Sequence, residues 1–79
     1  MAEHDAVKVL DYKGLACPMP VVKISQEIGK IEVGQVVEVN TTDPGSLSDF
    51  PAWAKSSGHE IVETKQEKGI IRIFVRRKK

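Results

Sequence analysis

A single cysteine, Cys17, is all the thiol this chain has, which excludes an internal disulfide, a Cys-x-x-Cys redox pair and a multi-cysteine zinc site. Any thiol chemistry must therefore be completed by another molecule. Also missing is a long hydrophobic run: nothing approaches the roughly 20 apolar residues that a membrane-spanning helix needs. The start, MAEHDAVKVL, has neither the basic region nor the apolar stretch of a signal peptide. A cytoplasmic location is the expectation, with no membrane involved. Charge of one sign is scarce too, since 12 Lys and Arg stand against 11 Asp and Glu, leaving a net charge of +1. That balance gives no strong field for nucleic acid, so no direct nucleic-acid binding is expected. The exception is the basic end, Arg76-Arg77-Lys78-Lys79, which reads as a solvated terminus, with residues 77–79 as a basic tail, rather than as a docking patch.

What is present is the composition of an ordinary globular protein, 41% hydrophobic and 29% charged over 79 residues. A chain this short forms one domain, residues 1–79 with a flexible N-terminus over 1–6, and buries only roughly 60% of its unfolded surface. Residues 7–12, VKVLDY, are short and rich in β-branched side chains, a first strand bounded by Lys13-Gly14. In PMPVVKISQEIGKI, Val21, Ile24, Ile28 and Ile31 recur at helical spacing, with Lys23, Gln26, Glu27 and Lys30 on the other side. Gly29 and Gly34 punctuate its end, and QVVEVNT then alternates as a half-buried second strand.

Thr42-Asp43-Pro44-Gly45 opens a second helix, with Asp43 as its expected cap and Pro44 at its first position. Leu47, Phe50, Trp53 and Ala54 share a face of it, and Pro51 is expected to bend or restart it. HEIVETKQ and IIRIFVRR, separated by Glu67-Lys68-Gly69, form a hairpin. The order βαβαββ predicts an α+β fold: a two-layer sandwich of a four-stranded mixed sheet with two helices on one face.

In GLACPMP, Gly14 turns the chain and two prolines bracket the one cysteine. The spacing predicts Cys17 at the N-cap of the first helix, Pro18 at N1 and Pro20 at N3, where missing N–H groups cost little. Met19 and Val21 are then the nearby N–H donors that could face a sulfur anion. A helix N-terminus carries roughly half a positive charge and lowers cysteine pKa values from about 8.5 into the range of roughly 3.5 to 7.5. Position alone is equally compatible with a small buried hydrophobe. The bracketing prolines favour a chemical role, because a purely structural cap is more often Ser, Thr, Asp or Asn.

LDYKGLACPMPVVK followed by DPGSLSDFPAWAKSSGHE resembles the TusA-like (SirA/TusA) family of small sulfur-carrier proteins, whose hallmark is Cys-Pro-x-Pro at the start of the first helix. The resemblance runs from about Val9 to Arg76. It implies that Cys17 accepts a sulfane sulfur from a donor protein, a cysteine desulfurase or a rhodanese, as a persulfide and passes it to a cysteine of an acceptor protein. It implies that Pro18 and Pro20 are the positioning frame of the sulfur, with Gly14 before them. The pathways it leaves open are tRNA thiolation, cofactor assembly and sulfur oxidation. Some members have an arginine before the cysteine; here that place is Ala16. No cofactor and no metal is expected, and the chain is expected to be a monomer.

Around the motif, Met19 and Lys23 are candidates for partner docking, Met19 being equally compatible with simple packing. His59 reads as structural, with only His4 as a potential companion, and Trp53 reads as core. The rival function is a regulatory or protein-interaction module in which the cysteine is structural or redox-sensing.

Overall fold

The computed structural model describes residues 6–16 and 18–79. Cys17 and residues 1–5 of the expected flexible N-terminus lie outside the described residues. The elements follow the expected order: β1 (Lys8–Asp11), α1 (Met19–Glu27) with a 3-10 turn at Ile28–Lys30, β2 (Val36–Thr41), α2 (Ser46–Ser57), β3 (Glu60–Glu67) and β4 (Ile70–Arg76). The strands form one sheet in the order β1-β2-β4-β3. β1 runs parallel to β2, and β4 runs antiparallel to both β2 and β3, so the sheet is mixed.

The period of two in the strands decides which residues meet the helices. Val37, Val39 and Thr41 lie opposite Val75, Ile73 and Ile71, and all six are buried. Ile24 of α1, Ile28 of the 3-10 turn after it and Phe50 of α2 pack on this layer, with Tyr12 and Ile31 closing the core. The other sheet face is more polar. There the Arg72 guanidinium donates to Glu38 at 3.0 Å and sits 5.5 Å over the ring of Phe74. A register shift between Ile61 and Glu63 lets β3 follow the twisted β4.

Expectations about the start of the second helix and about the tail are corrected. α2 starts at Ser46 with Gly45 as its N-cap, so Asp43 and Pro44 precede it. The Asp43 carboxylate instead accepts the Gly45 N–H at 3.2 Å, tightening the turn before the helix. Pro51 lies inside α2 without restarting it. The helix ends at Gly58, φ 83°, a left-handed conformation that L side chains rarely adopt, with Lys79 Cε only 2.7 Å from where a Cβ would stand. The basic end is not a free tail. Arg76 is in β4 and pairs with Glu60 at 3.1 Å, while Arg77 exchanges backbone bonds with Gly34 and Gln35 and donates its guanidinium to the Ile31 carbonyl. These donors meet carbonyls of the turn between α1 and β2, which is why the chain folds back there.

Candidate functional site

The loop between β1 and α1 brings the chain out of the sheet and into the helix. Its base is held by Tyr12 N–H donating to the Asn40 carbonyl at 2.7 Å and by Leu15 N–H donating to the Tyr12 carbonyl at 3.2 Å. Gly14, at φ 85°, makes the left-handed turn between them, and its N–H donates to Thr42 Oγ1 at 3.0 Å. That bond joins the loop to the segment leading into α2 across 28 residues. Thr42 was not singled out by the sequence, because a threonine after a strand gives no sign of which amide it will meet.

α1 begins one residue later than expected. Pro18, at φ −99° and ψ 13°, is the N-cap with no side-chain cap bond, and Met19 is the first helical residue. Pro18 therefore takes the N-cap place expected of Cys17, which lies outside the described residues, and Pro20 stands at N2. The helix still tolerates Pro20 there, since first-turn N–H groups have no partner within it. Pro20 is also among the fully buried side chains, so it fills the core as well as setting the backbone, whereas Val21, read as core, is half-buried. Of the two amides expected to be open to a sulfur anion, Met19 N–H is taken by the Ala16 carbonyl at 2.9 Å. The first turn of α1 carries no acidic side chain, so its own residues leave the positive end of the dipole uncompensated.

Beside this helix start runs a groove of about 580 Å³, lined by Pro18 and Val21 from α1 and by Asp49, Ala52, Trp53 and Ser56 from α2. Trp53 is not simply core. Its ring meets Phe50 edge-on at 6.2 Å and His59 at 5.5 Å, and it also walls the groove. His59 is structural: its Nδ1 accepts the Lys78 N–H at 3.2 Å, and burial, followed by the positive charges of Arg77 and Lys79, lowers its pKa. Met19 and Val22 are exposed beside the groove, at 42% and 40%. Lys23, one turn after Met19, instead lines a separate cavity with Leu10, Tyr12, Gln26 and Glu27. Among the described residues no group of three His, Cys, Asp or Glu side chains could hold a metal ion, and no helix is long and apolar enough to cross a membrane.

The family model described as "Sulfurtransferase TusA" matches residues 8–77. The chain belongs to the TusA family. It is 39% identical over 77 residues to the sulfur carrier protein TusA of Allochromatium vinosum, covering 98% of this chain and 99% of that one. It is 50% identical over 72 residues to YrkF of Bacillus subtilis, covering 91% of this chain and 39% of that protein, so it spans less than half of YrkF's length. The SirA-like protein of Desulfitobacterium hafniense superposes with a TM-score of 0.79 at 23% identity over 92% of this chain and all of that one, a likeness of fold. Within the TusA family frame, Pro18 ties the motif to the groove, because it caps α1 and forms one of the groove's walls. Ala16, which precedes the motif, is exposed, and its carbonyl accepts the Met19 N–H at the helix start.

Proposed function

We propose that this protein carries sulfane sulfur as a persulfide on Cys17 and delivers it to a cysteine of an acceptor protein. The observation that carries the reading is the family match over residues 8–77, which includes Cys17-Pro18-Met19-Pro20 at the start of the first helix. The Cys17 thiolate attacks the outer sulfur of a donor Cys–S–SH. A new S–S bond forms on Cys17, the donor's S–S bond breaks, and the donor cysteine leaves as thiolate. In delivery the acceptor thiolate attacks the outer sulfur on Cys17, which leaves in turn. One sulfur atom moves each time and no net oxidant is consumed.

The dipole at the start of α1 favours the thiolate both as nucleophile and as leaving group. Gly14 and Pro18 frame the loop, and Pro20 anchors the first turn in the core. The groove walled by Pro18, Val21 and Trp53, with exposed Met19 beside it, supplies apolar surface for the partner that brings or takes the sulfur. Donors of the cysteine desulfurase or rhodanese class fit this chemistry. The protein works as a monomer in the cytoplasm, and tRNA thiolation, cofactor assembly or sulfur oxidation is the receiving pathway.

The test is intact-mass analysis after incubation with a persulfide-loaded donor. Wild type gains about one sulfur, roughly 32 Da, lost again on thiol reduction as a reversible cysteine cap. Cys17→Ser folds and gains nothing, with stability altered by no more than about 1 kcal/mol. A wild type that stays unloaded with every donor, together with a Cys17→Ser variant that unfolds, makes the cysteine structural and ends the carrier reading.

A further inference from the structure

Away from the groove, between β1 and α1, lies a cavity of about 210 Å³ lined by Leu10, Tyr12, Lys23, Gln26 and Glu27. Tyr12 is only 6% exposed, yet its hydroxyl oxygen is buried with no hydrogen-bond partner among the described residues. A buried phenol without a partner forgoes a bond that water would have supplied, a cost that native proteins rarely keep without a reason. The hydroxyl feels the Glu27 carboxylate, another wall of the same cavity. Burial first, and that charge second, push the Tyr12 pKa up to about 12, so the group stays an O–H donor at neutral pH.

The acidic wall is already engaged. Glu27 accepts Lys30 Nζ at 2.7 Å and lies 3.6 Å from Lys8 Nζ. The Lys23 ammonium, by contrast, has neither an ion pair nor a hydrogen bond among the described residues. The cavity's unspent groups are therefore donors, the phenol and the ammonium, and its lining also includes Gln26 and the apolar side chain of Leu10. A cation would find its counter-charge taken by Lys30 and Lys8, and of the two unspent donors only Lys23 carries a charge, one that a single negative charge matches. A planar monoanion with a short carbon chain satisfies both the donors and the apolar wall. The volume, at about 30 Å³ for each water-sized group, admits roughly four to seven heavy atoms.

We propose that this cavity is a binding site for a small organic monocarboxylate, held by the Tyr12 hydroxyl and the Lys23 ammonium with its carbon chain against Leu10. The site does not depend on sulfur transfer. Because Tyr12 begins the loop toward Cys17 and Lys23 is on α1, an occupant would fasten the loop to the helix that follows it.

Titration of the ¹⁵N-labelled protein with butyrate tests this, with chloride and sulfate at matched ionic strength as controls. Butyrate should give saturable shifts at Leu10, Tyr12, Lys23 and Gln26 with a dissociation constant of about 1 mM, in keeping with so small a ligand. Tyr12→Phe, which keeps the ring and removes the unpartnered oxygen, should weaken binding about tenfold, as should Lys23→Gln. The proposal is overturned by an absence of saturable shifts, by equal shifts with chloride or sulfate, or by undiminished binding to folded Tyr12→Phe.

Discussion

Replacing Thr42 by Val removes one acceptor and little else, since the β-branched shape is kept. The acceptor is the one that Gly14 N–H uses at 3.0 Å to tie the cysteine loop to the segment before α2. The bond is neutral and exposed, and such bonds contribute about 0.5 to 1.5 kcal/mol. Its loss should therefore lower the population of the tied loop relative to released forms by about 2- to 13-fold. The other two bonds at the loop base, Tyr12 N–H to Asn40 and Leu15 N–H to Tyr12, remain. Unfolding should stay cooperative, with the melting temperature falling by no more than about 4 to 8 °C per kcal/mol for a domain of this size. Hydrogen exchange at Gly14 should accelerate, and sulfur loading of Cys17 by a donor should slow by about the same factor as the tied population falls. Thr42→Ser, which restores the hydroxyl, should recover both. Loading at the wild-type rate in a Thr42→Val protein whose Gly14 amide exchanges faster would refute the idea that this tie positions the sulfur.

Pro51→Ala should stabilise the protein by about 1 to 3 kcal/mol, because the alanine N–H can reach the Leu47 carbonyl inside α2; a urea midpoint that does not rise counts against it. Burial, then Arg77 and Lys79, holds His59 below its ordinary pKa of 6.5, so as pH falls the unfolded chain protonates first. Stability is therefore full above that value and declines as the pH drops through it toward the lower folded pKa. His59→Asn should flatten this slope in urea midpoints measured between about pH 5 and 7.

The sheet and both helices were legible because their patterns are local. β-branched alternation marks Val36–Thr41 and Ile70–Arg76, and helical spacing marks Ile24, Ile28 and Ile31. What the pattern could not carry were choices settled by distant groups. Asp43 has a cap's chemistry but turns to Gly45, and Arg77 looks like tail until the Ile31 carbonyl takes its guanidinium. The start of α1 moved by one residue because Pro18 suits an N-cap as well as N1, and nothing in a proline-rich turn separates the two. At the candidate site, the motif was readable from its residues. The groove was not, since Val21 and Trp53 lie 32 positions apart and meet only once α1 and α2 lie side by side. Nor was the buried Tyr12 hydroxyl, whose lack of a partner among the described residues is a property of its surroundings.

The strand order β1-β2-β4-β3 places the strand that comes fourth in this sheet's chain order at its middle, bonded on both sides. Until Ile70–Arg76 has left the ribosome, β2 lacks its antiparallel neighbour and β3 has nothing to pair with. Among the described residues the sheet pairing available earlier, β1 with β2, is a short parallel ladder, too small to stand alone. The sheet therefore closes late, when the local β3–β4 hairpin docks on β2 through contacts distant in sequence, a route that favours slow folding. Because α1 and α2 pack on that sheet through Ile24 and Phe50, the groove between them takes shape only once this strand is in place, so a partner that reads the groove would discriminate between finished and unfinished molecules.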